Sequence, residues 1–135
     1  MNPGYSGTPL VKKLGIRPGS AIYFVGAPDS YLKLIRPLPD GVKVTSRVSG
    51  KTDLVHVFSP RRIELARLLG GYRTRIKPDA VIWVSWPKKS AKVSTDITEE
   101  TIREIALPLG FVDVKVCAVT DVWSALKLVI RKKLR

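Results

Sequence analysis

Two adjacent lysines, Lys88 and Lys89, follow a run of strand-forming residues at positions 81–86 and the proline at position 87. Two neighbouring ammonium groups can hold a phosphate or a carboxylate through charge-assisted hydrogen bonds. If the run is a central strand of a parallel sheet, both cations reach its carboxyl edge, where open α/β sheets bind their ligands. We therefore predict an anion site there; the alternative is a pair of solvated loop lysines after a strand that Pro87 ends.

Six other residues are expected at the same edge, because each ends or follows a predicted strand or precedes a predicted helix. The first backbone N–H groups of a helix favour anions. They are Trp86, Thr95, Asp96, Ala27, Asp29 and Arg47. Trp86 is expected to flank the cleft. Residues 5–8 are expected to fold over this edge as a lid or to form an ordered N-terminal wrap.

No residue is predicted to be catalytic. His56 lies inside the apolar run at residues 53–58, where a buried and hydrogen-bonded ring is favoured over a catalytic base. With one histidine and one cysteine, Cys117, the chain has too few soft ligands for a zinc site. Neither a nucleophile elbow of the G-x-S-x-G type nor a P-loop occurs. An enzymatic activity is therefore not indicated by the residues themselves.

The charge of the chain is strongly positive, with 24 Lys and Arg against 11 Asp and Glu and a formal net charge of +13. Such a charge attracts polyanions over long distances. The basic residues are scattered along the chain, however, and no basic-aromatic RNA motif is present. A solubilising surface is therefore favoured, while binding of an anionic small molecule, a polyanion or nucleic acid stays open.

Six predicted strands alternate with helices. The strands are expected at residues 20–26, 42–46, 53–58, 81–86, 112–119 and 124–131, and helical turns at residues 10–14 and 31–36. A helix is expected from Ser59 and Pro60, a favourable N-cap and first position, to about Lys77, and another from Asp96 or Thr98 to Pro108. This order predicts a three-layer α/β sandwich, whose mostly parallel sheet of about six strands ends in an antiparallel C-terminal hairpin.

A single domain over residues 1–135 is expected from the length, with an irregular segment at residues 1–19. No run approaches the roughly 18 apolar residues of a membrane span. The polar N-terminus has no signal-peptide pattern, and one cysteine allows no internal disulfide. A cytoplasmic location away from membranes is the expectation; the oligomeric state is not indicated.

Three segments resemble the class I methyltransferases, which bind S-adenosylmethionine on a Rossmann-like fold. LGIRPG at residues 14–19 resembles the lead-in to that family's cofactor strand, DLVHVF at 53–58 a later strand, and IKPDA at 76–80 the turn before the next one. The closing hairpin after residues 109–111 also fits. The resemblance implies a shortened methyltransferase-like fold that has lost one strand and its helices.

A longer resemblance, nearly end to end, is to the bacterial proteins of the domain of unknown function 3052 family. It rests on residues 4–10 (GYSGTPL), 27–29 (APD), 86–89 (WPKK), 106–110 (ALPLG), 112–117 (VDVKVC) and 123–127 (WSALK). This resemblance implies a family but no activity.

The departures from the methyltransferase pattern concern the cofactor. That family uses a glycine-rich turn after its first strand, whereas residues 26–30 here read GAPDS, and Pro28 removes a backbone donor. Arg47 stands near the place of the acid that would hold the ribose hydroxyls, and suits a phosphate instead. We therefore expect no cofactor, S-adenosylmethionine included. The alternative is a residual methyltransferase-like enzyme with an altered pocket.

Overall fold

A computed structural model describes residues 7–135; the part of the expected N-terminal lid or wrap that falls on residues 1–6 lies outside the described residues. The helices are α1 (Leu10–Leu14), α2 (Tyr31–Leu34), α3 (Arg62–Arg73) and α4 (Glu99–Ala106). The strands are β1 (Ala21–Val25), β2 (Lys43–Val44), β3 (Leu54–Phe58), β4 (Val81–Pro87), β5 (Phe111–Ala118) and β6 (Trp123–Ile130).

The six strands form one mixed sheet in the order β2-β1-β3-β4-β6-β5. The first four strands are parallel, whereas β6 runs antiparallel to β4 and β5 runs antiparallel to β6. The predicted α/β fold with a C-terminal antiparallel hairpin is confirmed. Because β6 begins where β4 ends, with Trp123 opposite Pro87, the hairpin reaches the carboxyl edge of the four parallel strands.

Two apolar clusters cover the two faces of the sheet and make three layers. One cluster joins α3 and α4 to the sheet through Leu65, Leu69 and Ile102. The other joins α1 and α2 through Leu14 and Tyr31. The helices that follow β1 and β3 therefore lie on opposite faces, which makes the gap between these two strands the topological switch point of the sheet.

Side chains alternate between these two clusters along β4. Trp83 belongs to the α1/α2 cluster and Trp86 to the α3/α4 cluster, as period-two geometry predicts. The indole Nε1–H of Trp83 donates to the carbonyl of Leu14 at 2.9 Å, which fixes α1 over the centre of the sheet. Both tryptophans therefore serve the core, and 9% of Trp86 stays exposed.

Helix α3 was predicted to begin at Ser59 and Pro60 and to extend to about Lys77, but it spans only Arg62–Arg73. The Ser59 hydroxyl instead accepts from the Arg61 N–H and donates to the Arg61 carbonyl, forming a local turn. Competition between such short-range bonds and the helix is characteristic of serine. The predicted strand at residues 42–46 is likewise shorter, because the Thr45 hydroxyl turns back to the carbonyls of Ile22 and Arg47.

Candidate functional site

The end of β4 opens into a cleft of about 360 Å³, which we call the Lys89 cleft. Its lining is one cation, two hydroxyls and an apolar wall: Trp86, Pro87, Lys89, Val93, Thr95, Ile97 and Thr98. Trp86, Lys89 and Thr95 are among the residues predicted from the sequence. The cleft lies at the carboxyl edge, between the end of β4 and the loop that leads into α4.

The two lysines differ in their placement. Lys88 is half-buried, and its backbone N–H donates to the carbonyl of Val122 at 2.7 Å, tying the end of β4 to the hairpin turn. Lys89 is exposed, begins a 3₁₀ turn over Lys89–Ala91, and is the one of the two that lines the cleft. The pair therefore supplies one cation to the cleft itself and a second at its border.

Thr95 and Asp96 hold the structure together around the cleft. The Thr95 hydroxyl donates to the Pro60 carbonyl at 2.8 Å and accepts from the Ile97 N–H at 3.1 Å. The Asp96 carboxylate accepts from the backbone N–H of Arg62 at 2.6 Å, at the first turn of α3. Both residues thus connect the loop before α4 to the loop before α3, by contacts across 35 and 34 positions that no local sequence pattern reveals.

Helix α4 has the predicted cap beside the cleft. The Thr98 side chain accepts from the Thr101 N–H at 3.2 Å, so Thr98, rather than Asp96, is the N-cap. The carboxylates of the first turn, Glu99 and Glu100, both pair with Arg103. Arg103 therefore balances part of the negative charge of Glu99 and Glu100, so that less of this charge acts on Lys89.

Ala27, Asp29 and Arg47 lie elsewhere along the same edge. Asp29 and Arg47 are exposed, in the loops after β1 and β2, and Ala27 packs against the α1/α2 cluster. Strands β1 and β3 separate the end of β2 from the end of β4, a span of about 14 Å at ordinary strand spacing. The structure thus divides the predicted site residues between the Lys89 cleft and a second region around the ends of β1 and β2.

A second cleft at this edge, of about 370 Å³, runs between the loop after β1 and the hairpin turn. It is lined by Pro28, Ser30, Leu34, Val119, Thr120, Asp121, Val122 and Trp123. Among the residues that the structure describes, no lysine or arginine lines it. Its chemistry therefore favours an anion less than that of the Lys89 cleft.

Gly26 closes the switch point between β1 and β3. It has a φ of +71°, and a Cβ at this position would overlap the carbonyl oxygen of Phe58. Glycine is required because only it combines a left-handed conformation with so close an approach to another backbone. The position that a side chain would take at residue 26 is therefore occupied by the Phe58 carbonyl of β3.

His56 is buried at the centre of a polar network on the α1/α2 face. Its Nδ1 lies 2.7 Å from the Tyr31 hydroxyl and its Nε2 lies 2.7 Å from the Ser85 hydroxyl. Phe58 stacks on the imidazole with ring centroids 4.2 Å apart. Burial lowers the pKa of His56 to about 3, so the ring is neutral. His56, Tyr31 and Ser85 are each at most 1% exposed, and the predicted structural role of His56 accords with this burial.

Cys117 is half-buried against the α1/α2 cluster, and burial raises the pKa of its thiol. Within residues 7–135, no cluster of three metal-ligating side chains occurs. No helix in this part of the chain is long and apolar enough to cross a membrane.

Comparison with solved structures identifies the fold. An S-adenosylmethionine-dependent methyltransferase of Aquifex aeolicus matches with a TM-score of 0.61 and 15% identity, over 90% of this chain and 88% of that one. A candidate type 11 methyltransferase of Sulfolobus solfataricus matches with a TM-score of 0.63 and 10% identity, over 92% and 89%. A candidate exported protein of Bordetella parapertussis matches with a TM-score of 0.61 and 12% identity; this chain covers 64% of it.

No protein-family model matches the chain, and no curated protein matches it either. Membership of the domain of unknown function 3052 family therefore stays a prediction. The structural matches confirm the methyltransferase-like fold, which leaves binding of S-adenosylmethionine open, so the expected lack of a cofactor also stays a prediction. The chain is a Rossmann-like α/β protein with the fold of the class I S-adenosylmethionine-dependent methyltransferases.

Proposed function

We propose that this protein is a binding domain built on the methyltransferase-like fold, which holds a small anion with a flat apolar portion in the Lys89 cleft and transfers no methyl group. The observation that carries the proposal is the combination of Lys89 with the exposed part of Trp86 in one cleft. A cation beside an indole and apolar walls offers a charged contact and a packing surface to one ligand.

The charge around the cleft supports an anion. None of the described residues that line it is acidic, and Lys88 and Lys92 stand at either side of Lys89 in the chain. The Thr95 hydroxyl donates its hydrogen to the Pro60 carbonyl and is not free to donate it to a ligand. Among the described lining residues, Lys89 is the charged side chain that can favour an anion over a neutral ligand. The overall charge of +13 raises the local concentration of anions further.

The region around the ends of β1 and β2 fits S-adenosylmethionine poorly. Gly26 faces the carbonyl of Phe58, Pro28 has no N–H, and its own carbonyl accepts from the Tyr31 N–H at 2.9 Å. The first charged side chain after β2 is the exposed Arg47, whereas ribose hydroxyls are best held by a carboxylate. These features support a cofactor-free domain.

Binding of S-adenosylmethionine is the second candidate function, because solved structures with this fold include S-adenosylmethionine-dependent methyltransferases. The two candidates place the ligand differently: near the ends of β1 and β2 for the cofactor, and beside β4 for the proposed anion. Variants of Lys88 and Lys89, which follow β4, therefore distinguish the two candidate functions.

The test is the binding of adenosine monophosphate, which joins a flat base to a phosphate, to the K88A/K89A double variant by calorimetry. We expect an affinity at least tenfold below that of the wild type, because both cations beside the cleft are lost. The matched control is K132A/K133A, which removes an exposed lysine pair from the C-terminal 3₁₀ turn over Lys132–Leu134. Equal affinities for the two double variants would refute the proposed site.

A further inference from the structure

A cleft of about 310 Å³ opens at the amino edge of the sheet, opposite the Lys89 cleft; we call it the Lys127 cleft. It lies between the end of α1 and the beginnings of β1, β3 and β4, and β6 forms one wall. Its lining residues are Leu14, Gly15, Arg17, Ser20, Asp53, Leu54, Asp79, Val81 and Lys127. No part of this cleft belongs to the carboxyl-edge site proposed above.

Lys127 is a half-buried cation among other cations. It is opposite Trp83 in the register of β6 with β4, at the centre of the sheet. Burial lowers the pKa of its ammonium group, and Lys115 and Arg17 lower it further. None of these three cations forms an ion pair within residues 7–135. These three cations therefore lie near one another, and none of them has a carboxylate partner of its own among the described residues.

Two carboxylates, Asp53 and Asp79, also line the cleft, and Asp53 has partners within the protein. Asp53 accepts from the backbone N–H of Ala21 at 2.8 Å and from the Lys77 ammonium group at 2.5 Å. These hydrogen bonds, with the charge of Lys77, lower the pKa of Asp53 against the opposing effect of burial. Asp79 lies close enough to help raise the pKa of Lys77. Lys77 thus offsets part of the negative charge of the two carboxylates, and Arg17, Lys127 and the nearby Lys115 leave an excess of positive charge around the cleft.

We propose that the Lys127 cleft is a second anion site, which takes a doubly charged oxyanion of the phosphate class between Arg17 and Lys127. The planar guanidinium of Arg17 can donate two parallel hydrogen bonds to one oxyanion, and the Lys127 ammonium group adds a point charge. A dianion is favoured over a monoanion because Lys115 adds a third positive charge nearby. The Ser20 hydroxyl, which accepts from the Arg17 N–H at 3.2 Å, keeps its own hydrogen for the ligand.

The unbalanced cations have a consequence for the free protein. Without an anion, the repulsion among Arg17, Lys115 and Lys127 destabilises the fold, and binding relieves it. The variant K127M keeps most of the volume of the side chain and removes its charge. In chloride this variant is therefore expected to melt at a higher temperature than the protein that keeps Lys127, and in phosphate it is expected to lose most of the stabilisation by the anion.

The experiment is thermal unfolding in inorganic phosphate against sodium chloride of the same ionic strength. It uses the K88A/K89A background, so that the outcome does not depend on the Lys89 cleft. At twenty times the dissociation constant, phosphate is expected to raise the melting temperature of this parent by about 5 °C through mass action. R17Q and K127M are expected to lose most of this shift, whereas K33Q, an exposed cation on α2, is expected to keep it.

Two results would overturn the second site. One is a parent whose melting temperature is the same in phosphate and in chloride. The other is a phosphate shift in R17Q and K127M as large as that in K33Q, which would show that the ion acts on the general surface charge. Because R17Q changes an exposed side chain, it tests the site even if K127M disturbs the packing of β6.

Discussion

The buried imidazole of His56 shows how single residues set the chemistry of this protein. The ring has hydrogen-bonding partners at both nitrogens, Tyr31 and Ser85, and both are hydroxyls that stabilise a neutral ring. Desolvation dominates its titration because, among the described residues, no carboxylate contacts it. His56 therefore acts as a fixed link between β3, β4 and α2 rather than as a base.

The pH dependence of stability tests this role of His56. Its folded pKa of about 3 lies below the ordinary value of 6.5, so the unfolded chain binds the proton first. Stability is therefore full above pH 6.5 and falls as the pH is lowered, by up to about 1.4 kcal/mol per pH unit. Denaturant unfolding between pH 7 and pH 5 should show this slope, because carboxyl groups titrate mostly below this range.

The chain has one histidine, so a variant at position 56 tests whether the slope comes from this side chain. H56Q is expected to be less stable at pH 7 by about 2–4 kcal/mol, because glutamine cannot satisfy both hydroxyls, and to lack the slope. Y31F keeps the histidine and should keep the slope. A slope that persists in H56Q would show that another group is responsible.

At the scale of elements, the carboxyl ends of β1 and β3 are held together by backbone packing at Gly26. The positive φ of this residue and the nearby Phe58 carbonyl leave no room for a side chain. The glycine after the first strand thus has a structural reason that is independent of any nucleotide. This packing requires a glycine at position 26 alone. It therefore accounts for the one glycine in the turn at residues 26–30, which otherwise departs from the methyltransferase pattern.

Replacement of Gly26 by alanine is expected to lower the free energy of unfolding by about 3 kcal/mol, because the new methyl group is strained in φ and displaces the Phe58 carbonyl. Chemical denaturation measures this change. The control is G71A in α3, where the position is exposed and has nothing within 4 Å of the added Cβ. G71A should raise stability by about 0.5–1 kcal/mol through helix propensity. A harmless G26A would contradict the packing role.

The order of strands and helices could be predicted from the sequence because apolar runs and turn residues record it locally. The opposite faces of Trp83 and Trp86 follow from strand periodicity alone. The start of α3 could not be predicted, because the Ser59 hydroxyl forms hydrogen bonds with the backbone of Arg61 instead of capping the helix. The roles of Thr95 and Asp96 depend on contacts with Pro60 and Arg62, which only the folded chain brings near.

The candidate site was predictable only in part for the same reason. Lys89 and Trp86 share a cleft because Trp86 lies at the end of β4 and Lys89 follows it three positions later, which the sequence shows directly. Arg47 and Asp29 are distributed along the edge by the strand order, which the sequence does not show. The Lys127 cleft could not be predicted from the sequence, because Arg17 and Lys127 are 110 positions apart in the chain. Only tertiary packing places them in one cleft.

At the scale of the whole molecule, positive charge exceeds what internal pairing uses. The ion pairs within residues 7–135 engage Arg62, Lys77 and Arg103, whereas the chain carries 24 basic residues. The two clefts that contain lysine lie at opposite edges of the sheet. On the two proposals above, this methyltransferase-like fold would hold anions at both edges of its sheet.

The most direct test of this account is a paired calorimetric titration of the wild-type protein with S-adenosylmethionine and with adenosine monophosphate under identical salt conditions. We expect saturable binding heat for adenosine monophosphate, and no binding heat for S-adenosylmethionine at millimolar concentration. Saturable binding of S-adenosylmethionine that K88A/K89A leaves unchanged would contradict it, because the ligand would then occupy the region around β1 and β2 in the manner of a methyltransferase cofactor.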